Sequence, residues 1–191
     1  MRRRLLVLLA VAAVAVPALA FAQSRIGDRD DSAGVVDLSG ARAAHNRVSD
    51  ELVWVIDLHD AFRPDLLLNR DGPPGSVCVN AWTRRIPGEG APDYDVCITS
   101  DARGRELRAS VARHGTTGAV RRRGAAEVEQ AADTRLELRV DPDLIRRPRS
   151  VRWTVQAAVF SPGCPAFTGC EDFIPDRPRT SRIRLRAPRS R

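Results

Sequence analysis

The sequence predicts an all-β protein: an antiparallel β-sandwich of about ten short strands, one or two single-turn helices and two disulfides. Three observations carry this. Apolar side chains recur with a period of two along most of the chain, as strands with one buried face require. Gly, Pro, Asn and Asp clusters punctuate these runs at short intervals. Beyond residue 22 no segment has the period of a helix longer than a turn, and strands do not alternate with helices as a parallel sheet needs. No internal repeat of fixed period is visible.

Residues 1–22 have the form of a secretory signal. Arg2, Arg3 and Arg4 precede the apolar run Leu5 to Ala20, and Ala20-Phe21-Ala22 offers a small-x-small cleavage site. The alternative is an uncleaved membrane anchor, but the run is shorter than the ~20 residues a span needs and Pro17 interrupts it. No later stretch is apolar enough to span a membrane. The expected product is a secreted or cell-wall-associated monomer: a polar lead-in (23–32), one sandwich domain (33–187) and a basic tail (188–191). The formal charge of +7 is uneven. Three Arg belong to the signal and seven follow the last acid, Asp176; residues 23–176 hold 21 Arg against 24 acids. The basic excess is a property of the two ends.

The lead-in carries Asp28, Asp30 and Asp31. The simpler expectation is a flexible, solvated segment. The sharper one is an oxygen-ligand Ca²⁺ site closed by Asp37, although the Asp-x-Asp-x-Asp-Gly loop of calcium-binding hands is missing. No other cofactor is expected.

Strands follow in order. Val35 to Leu38 is short and Gly40 breaks it; Ala41 to Ala44 is another, ending at a His45-Asn46 turn. Glu51 to Leu58 is the most apolar stretch of the mature chain. Leu52, Trp54, Ile56 and Leu58 share one face, and β-branched and aromatic residues dominate, so it reads as a core strand. Phe62 to Leu68 contains Pro64 at the first position of a helical turn. Asp71-Gly72-Pro73-Pro74-Gly75 is a loop.

Ser76 to Trp82 and Tyr94 to Thr99 then form a hairpin. With Cys78 opposite Cys97, Val77, Val79 and Ala81 meet Ile98, Val96 and Tyr94 on one face. The other face holds the cysteines, Asn80 opposite Asp95, and Trp82 opposite Asp93. A one-residue slip destroys this agreement. Opposed residues in an antiparallel pair are close enough for a disulfide. Four cysteines allow three connectivities, and this register selects Cys78–Cys97, leaving Cys164–Cys170 to close a tight loop. Zinc, the competing use of four cysteines, is disfavoured because neither pair is Cys-x2-Cys.

Further on, Leu107, Ala109 and Val111 alternate with polar residues. The block Arg121-Arg122-Arg123 reads as a solvated strand end; it has no aromatic neighbours for base stacking, so nucleic acid is not expected as a partner. Leu136, Leu138 and Val140 face inward from the next strand. Asp141-Pro142 starts a helical turn. Val151, Trp153, Val155, Ala157 and Val159 form one face of a long strand. Ile183-Arg184-Leu185 adds an edge strand blunted by Arg.

The signal, the Asp-rich lead-in, Val35-Val36-Asp37-Leu38 and the strand Leu52 to Leu58 resemble the start of DOMON-like and family-9 carbohydrate-binding-like sandwiches. The Trp153 strand followed by Cys164, Cys170, Asp172 and Pro175 is similar to secreted actinobacterial proteins of uncharacterised function. The resemblance covers most of the mature chain. It implies a sandwich of nine to eleven strands and a non-catalytic binding role. Haem-binding relatives use Met and His as axial ligands, and the sole Met here is Met1.

Three functional readings follow. The first is a non-enzymatic module binding an extracellular or cell-envelope ligand such as a glycan, through Trp82, Asn80, Asp93 and Asp95 beside the first disulfide. The second is a secreted hydrolase, or a hydrolase inhibitor, acting through Asp57, His59 and Asp60 at the end of the core strand. No Gly-x-Ser-x-Gly elbow or His-Glu-x2-His supports it, and no catalytic residue is assigned. The third is a structural domain of the cell surface.

Overall fold

The computed structural model describes residues 24–32, 34–70, 72–84, 91–115, 118–161, 164–165, 169–175 and 179–185. The expected signal (1–22) and basic tail (188–191) lie outside them. Among the described residues there are eleven strands and two isolated 3-10 turns. The strands are β1 (Ser24–Gly27), β2 (Leu38–Asn46), β3 (Glu51–Leu58), β4 (Ser76–Trp82), β5 (Tyr94–Ser100) and β6 (Leu107–His114). They continue as β7 (Val120–Ala132), β8 (Arg135–Val140), β9 (Ser150–Val159), β10 (Cys170–Ile174) and β11 (Ser181–Arg184). The turns span Pro64–Leu67 and Pro142–Ile145, each opening on proline, whose fixed φ suits a first helical position. Asp141 caps the second: its carboxylate accepts from the Asp143 N–H at 2.9 Å.

The strands hydrogen-bond in the order β1-β2-β3-β8-β7-β6-β5-β4-β9-β10, with β11 also on β9, and every pairing is antiparallel. The long strand β7 belongs to both layers. Its first half pairs with β6 and its second half with β8, so the path turns over there into sheet A (β1, β2, β3, β8, β7) and sheet B (β7, β6, β5, β4, β9, β10, β11). At the far seam, β2 meets β10: the Leu38 N–H donates to Asp172 Oδ2 at 2.6 Å.

Alternation decides which faces meet. Leu52, Trp54, Ile56 and Leu58 of β3 are buried, as are Leu136, Leu138 and Val140 of β8. Sheet B supplies Val77, Val79, Ala81, Tyr94, Val96 and Ile98, and the inward face of β9 with Trp153 at its centre. These side chains form a single core. Both disulfides form, Cys78–Cys97 and Cys164–Cys170, and no described cysteine is free. No helix among the described residues is long and apolar enough to cross a membrane.

Several elements differ from the sequence expectation. Ser24–Gly27, inside the expected flexible lead-in, is an edge strand on β2, with Ile26 packed against the core. Val35 to Asp37 precede the strand instead of forming it, and β2 starts at Leu38. Gly40 does not end a strand. It sits at a bulge between Leu38 and Gly40, where a Cβ would lie 3.1 Å from the Ile26 carbonyl, so glycine admits the neighbouring strand. Cys170–Ile174, where the sequence reading assigns no strand, is β10. Arg121, Arg122 and Arg123 are exposed at the start of the 13-residue strand β7, the solvated strand end that was expected.

Trp54 is fully buried, and its Nε1 has no hydrogen-bond partner among the described residues. Trp54→Ala removes this packing and is expected to lower the free energy of unfolding by about 3–5 kcal/mol. Trp54→Phe keeps most of the ring and removes the orphaned donor, so its cost is well under half of that. Urea denaturation of both variants measures the difference.

Candidate functional site

Sheet B presents an outward face organised by β4, which lies between β5 and β9. Because Val77, Val79 and Ala81 point inward, Cys78, Asn80 and Trp82 point outward. The observed register is the expected one: Cys78 opposite Cys97 and Asn80 opposite Asp95. On the other flank Asn80 is opposite Thr154 and Trp82 opposite Arg152. The Asn80 amide donates to Gln156 Oε1 at 3.3 Å and reaches Thr154 Oγ1 at 3.5 Å. Gln156 donates in turn to Glu171 Oε1 on β10 at 3.4 Å. Asp95 Oδ2 pairs with His114 Nε2 from β6, while Asp95 Oδ1 is screened from solvent and takes no hydrogen bond from a described residue. The half-buried Trp82 therefore borders a polar row running through Asp95, Asn80, Gln156 and Glu171, across four adjacent strands.

Asp93 does not join this row. It precedes β5, and its carboxylate is 8% exposed and turned onto the start of the β4–β5 loop. Asp93 Oδ2 accepts from the Thr83 N–H at 2.8 Å, the Thr83 hydroxyl at 3.1 Å and the Arg84 N–H at 3.1 Å, and Oδ1 pairs with Arg84 Nε at 2.5 Å. Burial alone pushes this carboxyl up, but the N–H groups of Thr83 and Arg84 outweigh it and hold it below its ordinary value. It clamps the start of the loop.

Asp57, His59 and Asp60 lie at and just beyond the end of β3. Asp57 pairs with Arg135 Nε at 2.5 Å on the outer face of sheet A. His59 and Asp60 are exposed beyond the end of β3, where the His59 N–H donates to the Asp37 carbonyl at 3.0 Å. His45 is buried and pairs with Asp50 at 3.0 Å. Asp50 also binds Arg147 at 2.5 Å; burial raises its carboxyl, and the bonds to Arg147 and His45 bring it below the ordinary range. Sheet A also carries a groove of about 270 Å³ beside Arg42, Val53, Val55 and Arg139.

The acidic lead-in is more ordered than expected. Carboxylate oxygens of Asp31, Asp37 and Asp172 lie within 4.8 Å of one another. Asp37 and Asp172 are buried and Asp31 is exposed. Burial pushes Asp172 up to about 6, against the N–H bonds it accepts from Leu38 and Phe173, with Asp28 and Asp37 adding to the rise. Burial also raises Asp37, the neighbouring Asp30 side chain adds to it, and the Ser32 N–H and His59 oppose it.

The hairpin register places Asn80, Asp95 and Trp82 in the sequence, whereas Gln156, Glu171 and Asp172 join them or the acidic group only in the structure. Gln156 stands out as a polar residue on the outward side of a strand whose other face is wholly apolar, yet only the β4–β9 pairing ties it to Asn80. Asp172 lies 134 residues from Leu38, its backbone partner.

Asp93→Ala removes the acceptor for two backbone N–H groups and is expected to lower stability by about 2–3 kcal/mol. Because the folded carboxyl lies below its ordinary 3.8, its stabilisation is full above that value and is lost as pH falls through the depressed folded one. Thermal unfolding of wild type and variant should therefore differ most at neutral pH and converge in strong acid.

No family model, curated protein or solved structure matches the chain.

Proposed function

We propose that this chain is an exported, non-enzymatic binding module, and that the outer face of sheet B takes a glycan of the cell exterior. The export signal expected at residues 1–22 and the two disulfides support the location. One observation carries the ligand face: Asn80 sits at the centre of the sheet, joined to Gln156 and flanked by Asp95 and Trp82. Sugars present aliphatic C–H faces and rings of hydroxyls. An indole beside amides and a carboxylate meets both, through apolar contact on the ring and hydrogen bonds from the side chains. The strands hold these groups on a rigid platform, so little side-chain ordering opposes binding.

The separation of the histidines favours binding over hydrolysis. His45 pairs with Asp50 but is buried, His114 pairs with Asp95 on another strand, His59 is exposed beyond β3, and Asp57 is engaged with Arg135. A general base also needs a second catalytic group and a substrate cleft within hydrogen-bond reach.

A glycan and cell-wall array tests the reading with wild type, Trp82→Ala and Asn80→Ala, each checked for unchanged thermal unfolding. Wild type should retain a defined subset of glycans, and each variant should lose at least about tenfold in affinity, the loss of roughly one good contact. Equal retention by all three sinks the proposal.

A further inference from the structure

We infer that Asp31, Asp37 and Asp172 form a calcium site that clips the N-terminal segment onto β10 across the seam between the two sheets. Two oxygens bound to one Ca²⁺ at about 2.4 Å lie no more than about 4.8 Å apart. The carboxylate oxygens of these three residues meet that limit. Three carboxylates supply three to six oxygens, and water completes the usual six to eight. The donors are hard oxygens, with no cysteine or histidine in the group, which suits Ca²⁺ over zinc.

The arrangement is more than a solvated acidic run. Asp37 is 4% exposed, and its Oδ1 is buried without a hydrogen-bond partner among the described residues. A buried carboxylate oxygen in that state is costly unless a proton or a cation meets it. Asp172 is buried beside it, held by the N–H groups of Leu38 at 2.6 Å and Phe173 at 2.7 Å. Asp28 and Asp30 add negative charge around the pair, and His59 is the basic group acting on Asp37.

The backbone is shaped to bring the three together. At Gly34 a Cβ would lie 2.9 Å from the Cys170 Cβ and 3.1 Å from Val159 Cγ2. Glycine therefore lets the segment carrying Asp31 and Asp37 press against the start of β10, next to the Cys164–Cys170 disulfide. β10 then directs Asp172 to the same side as the buried Ile174. A cation here joins parts of the chain more than a hundred residues apart, where closing the loop is entropically expensive.

The test is thermal unfolding of the purified protein at neutral pH, stripped with chelator and titrated with CaCl₂ or MgCl₂. CaCl₂ should raise the midpoint by about 5 °C near saturation. Half of the effect should come at about 10⁻⁴–10⁻³ M, as in extracellular calcium modules. MgCl₂, which demands a tighter octahedral shell, should do much less. Asp37→Asn and Asp172→Asn should abolish the CaCl₂ response. Asp31→Asn, at an exposed position, should not lower the stripped protein's midpoint, since it removes a repelling charge, and should weaken the CaCl₂ response at least about tenfold, one lost carboxylate ligand. A wild-type midpoint indifferent to CaCl₂, or a response that survives Asp31→Asn undiminished, overturns the site. Stabilisation by mild acid without any by CaCl₂ would mean that Asp37 and Asp172 share a proton instead.

Discussion

Sheet A buries Leu52, Trp54, Ile56 and Leu58 from one side of the core and sheet B buries Val151, Trp153, Val155 and Ala157 from the other, and that burial fixes the register of every strand pair. A slip of one residue along β3 would turn four large apolar side chains to water and bring Val53, Val55 and Asp57 inside. At about 25 cal/mol per Å² of apolar surface, no surface contact in this protein competes with such a loss. The outward residues are consequently placed by their inward neighbours. Asn80 faces out because Val79 and Ala81 face in, and Glu137 and Arg139 pair on the outer face of sheet A for the same reason.

How much of this can be read in the sequence depends on the range of the interaction. The β4–β5 hairpin is local and carries two independent constraints, apolar alternation and a cysteine in each strand, so one register satisfies both. The pairing of β4 with β9 is not local. It joins residues at least 70 apart, and the alternating patterns of β6, β8 and β9 are interchangeable as partners for β4. Thus Asn80 and Asp95 are legible as neighbours, whereas Gln156 and Glu171 enter only with the strand order. β1 and β10 were hidden for a related reason. Both are short and partly polar, and backbone pairing to a longer strand stabilises them where their own side chains would not.

Alternation also loses its force at strand ends. Extrapolating the hairpin by one more pair puts Asp93 on the face of Trp82. The Asp93 backbone still bonds to both neighbours, its N–H to the Ala81 carbonyl and its carbonyl to the His114 N–H, but its carboxylate is drawn to the N–H groups of Thr83 and Arg84, which lie past the end of β4. A short polar side chain with free backbone donors nearby follows those donors, as at a helix N-terminus or an Asx turn. Gly40 teaches the same lesson: a glycine reads as a break in a one-dimensional pattern, while in the sheet it is the point where a neighbouring backbone comes close.

The strand β10 links the two candidate sites. Its alternation turns Glu171 outward, where Gln156 reaches it, and Asp172 inward, toward Asp37. These two carboxylates are adjacent in sequence and lie on opposite faces of one edge strand. An edge strand has a ladder on one side only, so its position depends on what else holds it. Here the other holds are the Leu38 N–H and the Cys164–Cys170 disulfide at its start. Glu171 is bonded to Gln156 at 3.4 Å and Gln156 to the Asn80 amide at 3.3 Å, so the polar row of the outer face ends on the same edge strand that carries Asp172 inward. One strand's alternation thus places a member of each candidate site.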